Sequence, residues 1–397
     1  MNQRRRRRNT ESASEVSKQI EERDREKESE EEILAGPDPR NITEDRLIPS
    51  GVTLVNCACS DNHKGAFALG SINTIPGKSA SGKSIFMLTM LACCAVDKRF
   101  KDYDFIYDDG EQSLHFDLDY LFPPLALRDP EDLTSGRLQA PTYDEGEPIP
   151  SETIQDFKAN VLIKCKQQKP FIWVLDSLDS LTSTEEMEKE YKNAIKMAKS
   201  AEAVVELKGS YKMEKAKHIG ETLRMINGYL KHSDSALFIV QQTRTNIGGG
   251  FGSPDWTTSG GHAPFFYSFH QVYVHALKQI PGEAMNLKHK IGSFVQFDVV
   301  KNKLTGKKRK DGIVASIYED YGIDDVSSCV DFLKRTGRWK SAGSAGIEAE
   351  DFGIKMPREK LIRHIEEQGL YEDLQEIVGE VWQEAEDALR LGRRRRF

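Results

Sequence analysis

Long apolar stretches are absent from this chain of 397 residues, and their absence argues against a membrane protein. No run approaches the roughly 20 apolar residues that a membrane-spanning helix needs. The arginine-rich start is not followed by an apolar segment, so a secretory signal is not expected. Cysteine is also scarce, with six copies scattered along the chain. This usage is typical of reduced thiols, so the sequence predicts a soluble protein of the cytoplasm.

An overall excess of positive charge is missing as well, because the formal net charge is −7. The total charge therefore does not indicate a nucleic-acid partner. Basic residues are instead concentrated in three runs, at residues 4–8, 307–310 and 393–396. Such runs can bind a phosphate backbone, but terminal runs are as often solvated tails, and both interpretations stay open.

Apolar side chains are nearly missing from the start of the chain, and this divides the sequence into three regions. Residues 1–40 are highly charged, contain a Gly-Pro-Asp-Pro boundary segment, and are expected to form a disordered arm. Residues 41–340 carry the apolar segments of a folded core. Residues 341–397 are expected to form a small helical region and a basic tail, since apolar residues recur there at helical spacing.

Within the core, short apolar segments typical of buried strands alternate with longer helical ones. The expected strands lie at residues 71–75, 104–109, 171–176, 236–242, 271–277, 293–301 and 312–318. The expected helices lie at residues 86–96, 151–168 and 185–230, the last with a break near residue 209, and residues 52–59 fit either a strand or a short helix. Such alternation is typical of a parallel sheet covered on both faces. The sequence therefore predicts an α/β fold with a mainly parallel central sheet flanked by helices.

A phosphate-binding loop is the most specific motif in the chain. The pattern G-x-x-x-x-G-K-[ST] is matched by Gly77, Lys78, Ser79, Ala80, Ser81, Gly82, Lys83 and Ser84. Glycine lets the backbone approach phosphate oxygens, and successive N–H groups then point at the anion. Lys83 is expected to reach the β- and γ-phosphates, and the Ser84 hydroxyl is expected to bind Mg²⁺. The eight residues therefore predict a site for ATP and Mg²⁺.

Polar residues follow three of the predicted strands, at the sheet edge where ligands bind in α/β folds. Asp176 is expected to hold Mg²⁺ with Ser84, and a helix N-cap acid is the alternative. Glu111 is the candidate base that activates the attacking water, and a turn residue is the alternative. Gln242 ends another buried strand, where its amide can contact the γ-phosphate.

The loop after Gln242, residues 243–262, is rich in Gly, Ser and Thr. Arg244 can bind a phosphate, and the aromatic rings of Phe251 and Trp256 can stack on bases. The composition predicts a mobile DNA-binding loop, and an active-site lid or a plain mobile loop is the alternative.

The ordered set of motifs resembles the RecA family of homologous-recombination ATPases over about residues 45–340. The resemblance implies that Glu111 is the catalytic glutamate, that Asp176 is the Mg²⁺ carboxylate, and that Gln242 couples the γ-phosphate to DNA binding. Residues 247–261, continuing to Phe266 and Tyr267, are similar to the second DNA-binding loop of the family and its exit helix. The DNA-binding positions expected on this basis are Arg244, Gly248, Phe251, Gly252, Gly260 and Gly261.

The resemblance extends to Lys301 and Lys303, and it implies that these lysines reach the ATP of a neighbouring subunit. Residues 183–217 occupy the place of the first DNA-binding loop. The chain departs from the family pattern at Asn246, where a lysine is common, at Trp256, which is an insertion, and in the helical character of the first loop. With this divergence and its compact C-terminus, the chain looks more like virus-encoded members of the family than like cellular ones.

The expected function is that of an ATP-dependent DNA recombinase, a DNA-dependent ATPase that hydrolyses ATP to ADP and phosphate. It is expected to form helical filaments on single-stranded DNA and to promote homologous pairing and strand exchange with duplex DNA in recombination and repair. Single-stranded-DNA-binding and loading proteins are further expected partners. Two alternatives stay open: a replicative helicase of the same fold, and a nucleotide-bound mediator that binds single-stranded DNA with little hydrolysis.

Overall fold

The computed structural model of the chain describes residues 42–115, 117–126, 137–141, 150–199, 211–245, 256–258, 260–310, 312–343 and 346–392. The expected N-terminal arm and the basic runs at residues 4–8 and 393–396 lie outside these ranges. Among the helices within them, none is both long and apolar enough to cross a membrane.

The strands in the described ranges are β1 (Leu47–Ile48), β2 (Phe67–Ala68), β3 (Ile72–Gly77), β4 (Asp104–Asp108), β5 (Leu138–Gln139), β6 (Phe171–Leu175), β7 (Ala236–Thr245), β8 (Trp256–Thr258), β9 (His270–Ala284), β10 (Leu287–Asn302), β11 (Val314–Tyr318), β12 (Gly322–Asp324), β13 (Lys340–Ser341), β14 (Ile347–Ala349) and β15 (Ile354–Met356). The α-helices there are α1 (Thr53–Ser60), α2 (Lys83–Val96), α3 (Leu118–Leu121), α4 (Pro123–Ala126), α5 (Ile154–Lys166), α6 (Thr184–Lys199), α7 (Tyr211–His232), α8 (Ala263–Tyr267), α9 (Asp325–Thr336), α10 (Arg358–Glu367) and α11 (Tyr371–Ala388).

One large sheet organises the core. Its strand order is β12-β11-β10-β9-β3-β7-β6-β4-β5, and β8 pairs antiparallel with β7. Every pair from β9 through β3, β7, β6 and β4 to β5 is parallel, whereas β9 to β12 form an antiparallel extension. The prediction of an α/β fold with a mainly parallel central sheet flanked by helices is therefore confirmed.

Helices cover both faces of this sheet because its central strands are apolar on both sides. In β6, whose residues are all buried, Val174 belongs to an apolar cluster with α1, α2 and α9. Its neighbours Trp173 and Leu175 point the other way, into a cluster with α5 and α7. Each such side chain contributes roughly 1.5–3 kcal/mol relative to an exposed position. The two-sided burial holds the central strands in a fixed register.

This register brings the polar ends of four strands to one edge. Gly77 at the end of β3 pairs with Gln242 of β7, and Leu175 at the end of β6 pairs with Asp108 of β4. Because the strands are parallel, the loops that follow them share that edge. The phosphate loop, Asp176 and the segment after β4 therefore lie side by side although they are far apart in sequence.

Several expected elements differ in extent from the observed ones. Residues 52–59, which fitted a strand or a helix, lie largely in helix α1. The predicted helix at residues 185–230 is divided into α6 and α7, and the predicted break near residue 209 lies outside the described residues. Strands β9 and β10 are longer than predicted and form a hairpin that extends past the pairing with β3 and β11.

The C-terminal region contains a small sheet that the sequence did not predict. Strands β13, β14 and β15 pair antiparallel ahead of the two predicted helices α10 and α11. Helix α11 is tied to the core through the buried carboxylate of Asp325, which accepts a hydrogen bond from the Tyr371 hydroxyl at 2.8 Å. The same carboxylate accepts the Thr53 N–H (2.9 Å) and hydroxyl (2.6 Å) at the start of α1.

Candidate active site

The phosphate loop connects the end of β3 to the start of α2, and its backbone turns sharply. Ala80 and Gly82 adopt left-handed φ angles of 56° and 94°. A Cβ atom at Gly82 would lie 2.6 Å from the Ile317 side chain, and one at Gly77 would lie 2.5 Å from the Val274 carbonyl oxygen. The loop therefore depends on glycine at both positions, and it leads directly into the N-terminus of α2, a favourable place for an anion.

The Lys83 side chain points back into the loop. Its ammonium donates a hydrogen bond to the Lys78 carbonyl oxygen at 2.6 Å, and the residue is only 7% exposed. Burial lowers the pKa of Lys83, while the nearby charges of Asp176, Glu111 and Asp179 act in the opposite direction. A bound phosphate would compensate a cation held out of water in this way.

Asp176 receives two hydroxyl groups on one carboxylate oxygen. Ser84 Oγ and Tyr107 OH each donate to Asp176 Oδ2 at 2.6 Å. Burial raises the pKa of Asp176, although both hydroxyls oppose the shift. A hydroxyl beside a buried carboxylate at the end of a phosphate loop is the donor set expected for Mg²⁺.

The loop also fits a phosphate ligand. The Ser81 hydroxyl is buried and has no hydrogen-bond partner within the described residues, which is unusual for a polar atom out of water. It lies beside Gly77, since a Cβ atom there would be 2.7 Å from Ser81 Oγ. The orphaned hydroxyl, the buried Lys83 ammonium and the Ser84–Asp176 pair are together consistent with ATP and Mg²⁺.

Glu111 lies next to Asp176 and Gln242. Its Oε1 accepts hydrogen bonds from the Ser177 hydroxyl and from the Gln242 side-chain amide, the latter at 2.8 Å. Its backbone N–H faces the Asp176 carbonyl oxygen at 3.3 Å. The structure thus brings the candidate base, the candidate Mg²⁺ ligand and the candidate γ-phosphate amide into one cluster.

Three contributors to this cluster were missed from the sequence: Tyr107, Ser177 and Asp179. Tyr107 reaches Asp176 across the β4–β6 pairing, and Asp179 accepts the Gln242 backbone N–H at 2.7 Å. The sequence signal for Ser177 and Asp179 is that polar residues continue beyond Asp176 in the turn after β6, whereas Tyr107, within a buried strand, has no such signal.

A cavity of about 470 Å³ adjoins Tyr107 on the side away from β7. Its lining includes the apolar residues Leu118 and Leu125 and the carboxylates of Asp109 and Asp117. The mixture of apolar surface and hydrogen-bond acceptors is of the kind that can hold a nucleobase with an exocyclic amino group.

The expected DNA-binding residues are only partly described. Arg244 is exposed near the end of β7, and Gly260 and Gly261, with φ angles of 88° and 66°, lead into α8. Gly248, Phe251 and Gly252 lie outside the described residues. Both ends of the expected loop therefore begin at the edge of the sheet that carries the phosphate loop.

Lys301 and Lys303 lie at the opposite edge of the sheet. Their neighbour Asn302 pairs with His270, which pairs with Asn73, about 13 Å along β3 from the phosphate loop. Lys301 Nζ donates to the carbonyl oxygens of Phe265 and Phe266, and Lys303 Nζ lies 3.4 Å from the latter. The lysines line a cavity of about 450 Å³.

Burial in this cavity, with Lys303 nearby, lowers the pKa of Lys301 to about 8. Two neighbouring ammonium groups that lose hydration are favourably placed to receive an anion. The distance along β3 means that this anion cannot be a phosphate held in the same chain's own loop.

The basic run at residues 307–310 is partly neutralised inside the chain. Lys307 Nζ lies 2.6 Å from Asp61 and 2.9 Å from Glu386, and Arg309 donates two hydrogen bonds to the same glutamate at 2.8 and 2.6 Å. The Glu386 side chain is 8% exposed, so these pairs are shielded from solvent. Only the other two side chains of the run are exposed for binding a phosphate backbone.

Comparison with known proteins relates part of the chain to RecA. Residues 171–323 match the RecA N-terminal domain family, a range that contains Asp176 and Gln242 but begins after Glu111. The chain is 34% identical to Protein RecA of Borrelia hermsii (strain HS1 / DAH) over 134 residues, which is 32% of this chain and 36% of that protein.

Two further relatives show the same pattern. Protein RecA of Borrelia duttonii (strain Ly) is 30% identical over 156 residues, covering 38% of this chain and 40% of that protein. Protein RecA of Lactobacillus johnsonii (strain CNCM I-12250 / La1 / NCC 533) is 29% identical over 176 residues, covering 42% of this chain and 44% of that protein. The chain thus spans less than half the length of these curated relatives.

Proposed function

We propose that this chain is a RecA-family DNA recombinase that hydrolyses ATP and uses the γ-phosphate to control its hold on DNA. One observation carries the proposal: the Gln242 amide donates to Glu111 at 2.8 Å, so the candidate base contacts the strand that leads to Arg244. The similarity to the RecA N-terminal domain family over residues 171–323, which include β6 to β11, supports the same assignment.

In this proposal the phosphate loop holds the ATP phosphates through its backbone N–H groups, the Ser81 hydroxyl and the Lys83 ammonium. The adenine of ATP would occupy the cavity beside Tyr107. Ser84 and Asp176 would hold Mg²⁺, which would neutralise part of the negative charge of the phosphates. The Ser84 hydroxyl donates to Asp176 at 2.6 Å, so the two oxygens that would hold the cation already lie side by side.

Glu111 is the general base that takes a proton from the attacking water. Its Oε1 is engaged by the Ser177 hydroxyl and the Gln242 amide, so the carboxylate must release the amide before it can accept a proton efficiently. A γ-phosphate offers the Gln242 amide a more highly charged acceptor. Binding of ATP would therefore turn Gln242 away from Glu111 and free the base.

The same movement would reach the DNA. Gln242 and Arg244 lie in one strand, β7, and β8 pairs with its last residues. A shift of Gln242 toward the phosphate would reposition this end of β7 and the loop that follows it. Hydrolysis would reverse the shift and loosen the loop, as phosphate-dependent ordering does in other triphosphatases.

Assembly into a filament is part of the proposal. Lys301 and Lys303 face away from their own phosphate loop, so they would meet the phosphates of a neighbouring copy. Catalysis would then require two adjacent subunits, and filament growth along single-stranded DNA would create the sites. Pairing with duplex DNA, strand exchange and help from single-stranded-DNA-binding and loading proteins belong to this proposed activity.

Imaging and activity assays together test the proposal. The chain is incubated with single-stranded DNA, a homologous duplex and ATP, and the products are examined by electron microscopy and for joint molecules. Helical filaments with joint molecules support the recombinase, and closed rings that unwind duplex would indicate a helicase instead.

Glu111→Gln separates the recombinase from a mediator with little hydrolysis. Loss of a general base lowers turnover by about 10²–10⁴-fold, while ATP binding should persist because the side chain keeps its shape. The matched control is Glu152→Gln, an exposed residue outside the cluster. If the wild-type chain forms filaments without any turnover, the mediator describes it better.

A further inference from the structure

The turn that follows β6, residues 176–180, touches the neighbouring loop and strand of the candidate site; we name it the β6 turn. The carbonyl oxygen of its first residue, Asp176, accepts a hydrogen bond from the Glu111 N–H at 3.3 Å. The Ser177 hydroxyl donates to the Glu111 carboxylate, and the Leu178 N–H donates to the Val240 carbonyl oxygen of β7 at 3.0 Å. The β6 turn is therefore fastened both to the base and to the strand of the γ-phosphate amide.

Asp179 of the β6 turn holds the backbone from which the Gln242 side chain starts. Its Oδ2 accepts the Gln242 N–H at 2.7 Å, while the side-chain amide of that glutamine donates to Glu111. The carboxylate also opposes the lowering of the Lys83 pKa that burial produces. Asp179 thus fixes the direction in which Gln242 points and adds negative charge beside the phosphate loop.

Lys215 of α7 reaches the same residue from the other side. Its Nζ donates to the Asp179 carbonyl oxygen at 3.2 Å. Burial lowers the pKa of Lys215, Asp179 and Glu186 oppose this shift, and Arg244 reinforces it. This hydrogen bond therefore links the start of α7 to the β6 turn, which contacts Glu111 and Gln242.

The same part of α7 lies beside Gly260 and Gly261, the far end of the expected DNA loop, which we name the loop return. A Cβ atom at Gly261 would lie 3.4 Å from Ala216, and one at Gly260 would lie 3.0 Å from Ile219 and 3.4 Å from Leu178. At Gly260 an added methyl group would press against Ile219, so this end of the loop packs closely against α7 and the β6 turn, and Gly261 lies next to Ala216. A displacement of α7 relative to the β6 turn must therefore move that return as well.

We propose that Asp179 and Lys215 are positioning residues that carry a change at Gln242 to α7 and to the return of the DNA loop. The inference rests on the proposed function, because the change begins when a γ-phosphate draws the Gln242 amide from Glu111. The Gln242 backbone then moves against its acceptor on Asp179, and the contact with Lys215 passes the movement to α7. Both ends of the loop respond, one through β7 and the other through α7.

Hydrogen–deuterium exchange of the full chain tests this path without relying on hydrolysis. Exchange of residues 211–222 is measured with and without a non-hydrolysable ATP analogue, and the affinity for the analogue is measured by calorimetry. In the wild-type chain the analogue should change this exchange. Asp179→Ala and Lys215→Met should each reduce the change at least about fivefold, with the dissociation constant of the analogue within about threefold of wild type.

Three further variants make the result specific. Asp179→Asn keeps an oxygen that can accept the Gln242 N–H, so it should restore the response that Asp179→Ala loses. Asp373→Ala and Lys360→Met remove exposed groups in α11 and α10 and should leave the response unchanged. If Asp179→Ala does not fold, the Lys215→Met result decides: a lost response supports the inference, and a retained one overturns it.

The outcomes separate this inference from the proposed function. If the analogue binds normally and the α7 response persists in both Asp179→Ala and Lys215→Met, the inference is overturned while the proposed function stands. If the wild-type chain binds no analogue, or if Lys83→Ala binds it as tightly as wild type, the proposed function fails and the inference fails with it.

Discussion

At the scale of single residues, the phosphate loop depends on a glycine in a left-handed conformation. Gly82 has φ 94°, and a Cβ atom there would lie 2.6 Å from the Ile317 side chain. Gly82→Ala should lower the free energy of unfolding by about 1–2 kcal/mol through backbone strain. It should also weaken ATP binding at least about tenfold, one step of 1.4 kcal/mol, because relief of the contact displaces the loop. Urea denaturation and calorimetric titration measure the two effects.

Gly322→Ala is the matched control for this substitution. Gly322 also has a left-handed φ, 83°, but no described heavy atom lies within 4 Å of its added Cβ. It should show the stability loss without the loss of ATP affinity. If Gly322→Ala lost as much ATP affinity as Gly82→Ala, backbone strain in general, and not the shape of the phosphate loop, would explain the loss.

Asp108 predicts a pH-dependent stability. The side chain is buried in β4, and this burial raises its pKa to about 6, although hydrogen bonds from Ser151 oppose the shift. A carboxyl group with a raised pKa stabilises the fold fully below its unfolded pKa of about 3.9 and loses that contribution as the pH rises through about 6. Relative to Asp108→Asn, the wild-type free energy of unfolding should therefore fall by about 2 kcal/mol between pH 4 and 6, out of a full loss of about 3 kcal/mol between about pH 3 and 7.

Urea denaturation at several pH values measures this difference. The asparagine keeps an oxygen that can accept the Ser151 N–H, so the comparison isolates the charge. Asp373→Asn, an exposed change in α11, should follow the wild-type curve. A constant difference between wild type and Asp108→Asn across this range would mean that the group does not titrate there.

At the scale of elements, the buried carboxylate of Asp325 is one of several contacts that attach α11 to the core, beside the apolar residues of this helix and its Glu386. Tyr371→Phe removes a hydroxyl that donates to Asp325 at 2.8 Å, and leaves that buried acid with one donor fewer. The free energy of unfolding should fall by about 1–3 kcal/mol, measured by urea denaturation. Tyr321→Phe removes an exposed hydroxyl bonded to Glu366 at 3.0 Å and should change stability by less than about 0.5 kcal/mol.

The central elements were predictable because their residues carry one dominant signal. β6 and the first half of β7, residues 236–240, are apolar and buried, so sequence pattern and observed burial agree. The outer part of the β9–β10 hairpin was not predictable, because its residues are mostly exposed and its register shifts at irregular positions. The strands β13 to β15 are two or three residues long, too short for a periodic pattern to appear.

Residues of the candidate site could be predicted from the sequence only where they belong to a local motif or directly follow an apolar strand. Lys83 and Ser84 were predicted from local spacing, and Asp176, Glu111 and Gln242 from their positions after apolar strands. Tyr107 and Asp179 were not, because their contacts cross between β4, β6 and β7, which are neighbours in the sheet and distant in sequence.

At the scale of the whole molecule, the two lysines at the far edge of the sheet predict a shared catalytic site. A Lys83→Ala chain and a chain with Lys301→Ala and Lys303→Ala should each be inactive alone in a DNA-stimulated ATPase assay. An equimolar mixture should recover about a quarter of wild-type turnover, because in a head-to-tail assembly that fraction of interfaces combines an intact loop with intact lysines.

A mixture of the lysine variant with Lys83→Ala at unequal ratios provides the control. Recovered turnover should follow the product of the two mole fractions and vanish at either extreme. Turnover that is additive, or absent at every ratio, would contradict catalysis between neighbouring copies.

Gln242 is proposed to connect the γ-phosphate to the binding of DNA, and the affinity for single-stranded DNA reports that connection. The dissociation constant for a labelled single-stranded oligonucleotide is determined by fluorescence anisotropy at fixed salt, with ADP and with a non-hydrolysable ATP analogue. The wild-type chain should bind at least about tenfold more tightly with the analogue, a coupling of about 1.4 kcal/mol. Gln242→Ala should abolish this difference while it still binds the analogue, whereas a tenfold difference retained in Gln242→Ala would contradict the account.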